Sequence, residues 1–219
     1  LTPVISINNL GKKFQKEWIF RHLSYRISPG QKLLISGGNG SGKSTLLQVI
    51  SGFVLPNEGT VSYELPGHEP ASSPAPGVSQ ERVKDLVSFA SPYLQLTEDF
   101  TLPEMIGHVR QFKPFIKELS DQELSSIIQL KADRHKLIRQ FSSGMKQRLK
   151  LGLAILADTP VLLLDEPVSN LDKEAIAWYR EMISTYTTGR TVIVCSNAIG
   201  DEHFFCDTEL RITDHKPKK

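Results

Sequence analysis

Residues 37–45 read GGNGSGKST, a glycine-rich run that ends in a lysine and two hydroxyl side chains. Gly37, Gly42, Lys43 and Ser44 satisfy the spacing G-x-x-x-x-G-K-[ST], with the strand-like KLLIS before it and the helix-like STLLQVI after it. Glycine admits turn conformations that other residues avoid, so N–H groups along Gly38, Asn39, Gly40, Ser41 and Thr45 can converge on a phosphate. A helix opening near Lys43 adds the positive end of its dipole. Lys43 then supplies a point charge to β- and γ-phosphates, and the Ser44 hydroxyl can hold Mg2+. A chance match in a chain of this length has odds on the order of 1%. The expectation is a nucleotide-phosphate cradle.

A second cluster lies further along, in QFSSGMKQRLKLGLAILADTPVLLLDEPVSNLD. VLLLDE puts Asp165 and Glu166 at the end of an apolar strand, where a carboxylate is costly unless paired or metal-linked. Asp165 is expected to hold Mg2+ beside Ser44, directly or through water. Glu166 can polarise an attacking water as general base. The plainer alternative is a strand-end acid that caps the next segment. Ser142, Ser143 and Gly144 precede a strongly helical run from Met145 to Ala157. They are either an ordinary N-cap or a second anion site at a helix N-terminus. One triphosphate does not require two such sites in one chain. A two-fold dimer does, each cradle being closed by the other chain's serine–glycine turn.

The elements that must position these residues are legible in outline. In HLSYRIS, Leu23, Tyr25 and Ile27 share one face, as in a half-exposed antiparallel strand, and TVSYEL is similar. KLLIS, VLLLDE and TVIVCSN are continuous apolar runs, which suit strands covered on both faces of a parallel sheet. LPGHEPASSPAPGVS is expected to be a surface loop. Leu102, Met105, Ile106, Val109 and Phe112 recur at helix spacing, and Ser120 with Glu123 forms a capping box that opens a second helix. The whole predicts a layered α/β fold with a helical block inserted in one core.

Composition narrows the partners. A hydrophobic content of 39% with 23% charged residues is that of an ordinary globular chain able to bury a sizeable core. A net charge of +2 gives no nucleic-acid footprint, and the terminal KPKK reads as a solvated end. Cys195 and Cys206 are too sparse for a disulfide framework or a zinc site, which favours a reduced cytosolic setting. The sequence shows neither an apolar run long enough to span a bilayer nor a signal-peptide layout at LTPVISINNLGKKF, so any membrane crossing is expected from another chain.

The cradle, FSSGMKQR, LLLDEP and SNLD, in this order, resemble the ATP-binding subunit of an ABC transporter over nearly the whole chain. The resemblance implies a P-loop NTPase three-layer α/β core with a parallel sheet, an N-terminal antiparallel β subdomain and an inserted α-helical subdomain. Residues 1–219 would form a single ATP-binding domain: 1–90 and 155–219 the β subdomain and core, and about 100–154 the helical subdomain with its signature. It further implies Mg-ATP hydrolysis at a dimer interface, with Mg2+ on Ser44 and Asp165. Phe14 would stack on adenine, its alternative being a core aromatic. Ser142, Ser143 and Gly144 would grip the partner's γ-phosphate, with Phe141 in place of the usual leucine and Ser143 in place of a usual glycine. Ser169 to Asp172 would communicate across the dimer. Expected partners are a second ATP-binding subunit, in a homo- or heterodimer, and a transmembrane permease that holds the chain at the inner face of the membrane. The short length resembles small exporter cassettes more than sugar importers.

Two positions depart from the family pattern. Where a histidine usually follows the last core strand, this chain has Asn197, which carries no charge and cannot shuttle a proton. The usual glutamine after LVSFAS should fall near Ser91 or Pro92, and the nearest candidate, Gln95, comes a few residues late. Losing one well-aimed hydrogen bond to a transition state costs about 2.7–4 kcal/mol. The expectation is tight Mg-ATP binding with slow turnover, the alternatives being a hydrolysis-deficient partner in a heterodimer or a soluble non-transport ABC ATPase.

Overall fold

The computed structural model describes residues 1–65, 80–130, 135–197 and 200–217. Of the loop expected over 65–79, only Leu65 falls within these described residues. The chain opens with β1 (Val4–Phe14) and β2 (Glu17–Ile27), which pair antiparallel, and β4 (Glu58–Glu64) joins the other edge of β1. Ile5, Ile7 and Leu10 are all buried although Ile7 and Leu10 differ in parity, because the register shifts between them. Asn9, at φ 46, and His22, at φ 57, mark this irregularity, and the Asn9 Oδ1 to His22 Nδ1 distance is 2.9 Å. A bulge of this kind resets which face a strand presents to the core.

The second sheet is parallel, with strand order β5-β6-β7-β3-β8. Its members are β3 (Lys32–Ser36), β5 (Val87–Ala90), β6 (Val161–Asp165), β7 (Thr191–Ser196) and β8 (Thr208–Arg211). All residues of β6 and β7 are buried. Their side chains alternate between two apolar clusters: Leu162, Leu164, Val192 and Val194 on one face, Val161, Leu163, Ile193 and Cys195 on the other. That is the two-sided cover the continuous apolar runs predict. In β3 only Leu33 and Ile35 are fully buried.

On the first face the cover is helical. It consists of α3 (Leu102–Phe112), α4 (Asp121–Ile127), α5 (Ser143–Leu156) and α6 (Lys173–Tyr186), joined in one cluster that runs onto the sheet. On the other, α1 (Lys43–Ile50) and the antiparallel sheet complete the core, while the short α2 (Gln80–Leu86) leads into β5 and α7 (Gly200–His203) follows β7. The predicted capping box is present at Ser120 and Glu123, and Thr101 with Glu104 forms another at the start of α3. Phe112 keeps the helix spacing but is 70% exposed, because α3 ends there beyond the packed face. No helix of the described residues is long and apolar enough to cross a membrane.

Tight packing of α5 depends on Gly152, where a Cβ would come within 2.5 Å of Ile128 Cγ1. Gly152→Ala is expected to lower stability by about 1–3 kcal/mol. Combining it with Ile128→Ala should cost less than the sum of the single changes in urea denaturation, since the added methyl fills space the isoleucine vacates.

Candidate functional site

The parallel sheet brings the carboxyl ends of β3, β5, β6 and β7 to one edge. Register does the positioning: Ala90 lies beside Leu164, Asp165 beside Cys195 and Ser36 beside Ser196. The residues that follow each strand therefore converge from distant parts of the sequence, the usual place for a ligand in an open α/β sheet.

Residues 37–42 leave β3 and turn into α1 through Gly42, which sits at φ 105 as the helix N-cap. A Cβ on Gly42 would lie 2.4 Å from Ile19 Cγ2, so the turn requires glycine for both conformation and space. The first turn of α1 leaves backbone N–H groups without intrahelical acceptors. Asn39 to Thr45 line a cavity of about 350 Å3 together with Ile19, Tyr93, Glu166 and Asn197. Inside it the Ser41 hydroxyl is buried and has no hydrogen-bond partner among the described residues. An orphaned donor beside free helix-end N–H groups fits a phosphate oxygen.

Lys43, only 4% exposed, curls back over the loop and donates to the carbonyls of Gly37 at 2.9 Å and Gly38 at 3.2 Å, and to Asn197 Oδ1. The Asn197 amide in turn donates from Nδ2 to Glu166 Oε1 at 2.6 Å. Glu166 takes φ 43, and its backbone N–H donates to the Cys195 carbonyl at 3.0 Å, which anchors it to the end of β7. Asp165 is 1% exposed and flanked by two hydroxyls, Ser44 Oγ donating to Oδ1 at 3.0 Å and Ser91 Oγ to Oδ2 at 3.3 Å. Burial pushes its carboxyl above the usual carboxylate range, against the Ser44 hydrogen bond that pulls it down. A divalent cation would favour the ionised form, and hydroxyl and carboxylate oxygens are the hard donors Mg2+ prefers. Ser44, Asp165 and Ser91 thus fit a magnesium ion.

Ser91 entered the sequence reading only as a place where the usual glutamine should fall, and not as a site residue itself. The signal available was its place one step beyond β5, which becomes meaningful only once β5 is known to lie beside β6. Gln95, the expected candidate there, does not line this cavity; it is exposed and faces a separate groove with Leu94 and Leu96. Pairing of β5 with β6 aims the first residue after the strand at Asp165, and the chain has turned away by position 95. Phe14 is exposed at the end of β1 with Lys12 Nζ 5.0 Å from its ring, and it does not line the cavity either. Its alternative as a core aromatic is thereby excluded.

The serine–glycine turn stands apart from the cavity. Ser142 N-caps α5, its Oγ accepting from Met145 N–H at 3.2 Å, and Ser142 and Ser143 are exposed. Gly144 packs close to the neighbouring loop: a Cβ there would come 3.2 Å from the Asn170 carbonyl. Asp172 N-caps α6, with Oδ1 accepting from Ala175 N–H at 2.8 Å. Gln147, absent from the expected set, is buried and donates from Nε2 to the Pro167 carbonyl at 3.0 Å, tying α5 to the segment after Glu166.

Comparison with known proteins agrees with this geometry. The sequence model of the ABC transporter family matches residues 20–169. The chain belongs to the ABC transporter family. It is 27% identical to the Nod factor export ATP-binding protein I of Ralstonia nicotianae over 99% of this chain and 66% of that protein. It is 29% identical to the ABC transporter ATP-binding protein YybJ of Bacillus subtilis over 95% of this chain and 92% of that protein. Among solved structures, a dimeric ATP-binding cassette in a post-hydrolysis state with ADP and Pi superposes with a TM-score of 0.79, at 21% identity, over 98% of this chain and 97% of that one. The chain spans slightly less than two thirds of the Nod factor protein's length. Its parallel core, helical block and antiparallel front sheet are those expected from its sequence.

The orphaned hydroxyl in the ABC cradle makes a testable trade-off. Burying an unsatisfied polar group costs about 1–3 kcal/mol. Ser41→Ala should therefore raise stability in urea by about 1 kcal/mol while weakening ATP binding several-fold by calorimetry.

Proposed function

We propose that this chain binds Mg-ATP in the 37–45 cradle, is closed over it by the serine–glycine turn of a second ATP-binding subunit, and hydrolyses it to drive a separate membrane-spanning subunit. The observation that carries this reading is the convergence of Lys43, Ser44, Asp165 and Glu166 on one edge of the sheet, with the Ser44 hydroxyl 3.0 Å from Asp165. Glycine-loop N–H groups and Lys43 hold the phosphates. Ser44 and Asp165 would hold Mg2+, which when bound would offset the negative charge of the phosphate groups. Glu166 takes a proton from a water whose oxygen bonds to the γ-phosphorus, and the bond from that phosphorus to the β,γ-bridging oxygen breaks with its electron pair leaving on ADP.

Ser142 to Gly144 do not line their own cradle, and the exposure of Ser142 and Ser143 supports a role in trans. Glu166→Gln saturated with Mg-ATP should dimerise in size-exclusion chromatography with light scattering. A variant that remains monomeric at saturation would remove the trans arrangement.

A groove of about 330 Å3 supports the membrane partner. It lies between the helical block and the sheet and gathers Phe53, 65% exposed, with Leu94 and Phe112, three of the exposed large apolar side chains. Such a cluster on one surface suits a protein contact. Phe112→Glu should abolish co-purification with a spanning subunit from membranes and leave ATP affinity unchanged.

One observation favours a second reading, the hydrolysis-deficient half of a heterodimer. Asn197 offers Glu166 and the terminal phosphate only a neutral amide. In turnover assays of the purified chain, Asn197→His is expected to accelerate hydrolysis about tenfold or more if charge at this position limits the rate. Equal rates would point away from Asn197 as the cause of slow turnover.

A further inference from the structure

An ammonium group has three hydrogens to donate. Lys43 has an acceptor for each: the carbonyls of Gly37 and Gly38, and Oδ1 of Asn197. A phosphate oxygen that reaches Lys43 must take the place of one of these. The two carbonyls belong to the loop backbone, whose shape the cradle depends on. Asn197 is the acceptor that can leave by side-chain rotation alone.

The other end of the same amide sets its polarity. Nδ2 donates to Glu166 Oε1 at 2.6 Å, so the oxygen faces the cation and the N–H the anion. The flipped amide would set N–H against ammonium and oxygen against carboxylate, both repulsive. Asn197 therefore links the cradle lysine to the carboxylate read as the general base, through one side chain of three atoms beyond Cβ. A histidine could not offer an amide's carbonyl to Lys43.

We propose that Asn197 is a positioning residue that competes with nucleotide phosphate for Lys43 and transmits the displacement to Glu166. This rests on the reading of residues 37–45 as an ATP cradle. Arrival of a phosphate at Lys43 frees Oδ1, and the amide, no longer fixed at both ends, can re-aim the hydrogen bond it gives Glu166. The base is thereby held in one orientation until the lysine is engaged. The competition also weakens the chain's affinity for any nucleotide whose phosphate uses Lys43, ADP included.

Calorimetric titration of ADP in the presence of Mg2+ tests the competition without reference to hydrolysis. Asn197→Ala removes the competing acceptor and should tighten ADP binding by about tenfold, the equivalent of one hydrogen bond to a charged group. Asn197→Asp puts a carboxylate against Lys43 and should weaken ADP binding by about tenfold or more. Unaltered circular dichroism spectra for both variants establish that they fold. A side chain that merely shapes the site would give the opposite sign for alanine, and an Asn197→Ala affinity equal to or weaker than that of the parent chain overturns the proposal. Absence of any heat from the parent chain with ADP or ATP would instead overturn the cradle reading on which it rests.

Discussion

The site depends on holding charges of both signs at the rim of a sheet whose two faces are apolar. Lys43 and Asp165 are both buried there, and neither could be tolerated without partners. The chain answers with carbonyls and an amide for the ammonium, and two hydroxyls for the carboxylate. These partners are polar but neutral, so opposite charges brought by magnesium and phosphate would be met more strongly than anything the protein supplies itself. Such a balance suits the metal-bound polyphosphate proposed above as the occupant.

Precision at the rim comes from the packing beneath it. The buried strands β6 and β7 lie in parallel register, and their alternate side chains lock into opposite clusters. A one-residue slip would move every apolar side chain to the wrong face. The same constraint that buries Leu162 to Leu164 therefore fixes where Asp165 and Glu166 emerge. Gln147 extends the lock to α5, whose N-terminal Ser142 to Gly144 lie beside the Asn170 turn and outside the lining of the chain's own cavity.

Local patterns carry much of the fold. Continuous apolar runs announced the buried parallel strands, alternation announced β2, and the pair Ser120 and Glu123 announced α4. These succeed because burial and capping act on neighbours in sequence. The bulge at Asn9 and the short edge strand β8 escaped, because each is defined by a partner strand and has little periodicity of its own. Phe112 misled for a related reason, since helix spacing does not say where a packed face ends.

By itself the sequence determined where the glycine-rich turn into α1, the acidic pair after β6 and the helix-opening serines lie, because each is a contiguous run whose local preference is complete within a few residues. Tertiary structure alone decided that Ser91, not Gln95, stands beside Asp165, and that Asn197 spans Lys43 and Glu166. Those neighbours are remote along the chain and meet only through strand order and register. Spacing in sequence holds no record of such a meeting, since it arises from the sheet's pairing and not from any local preference.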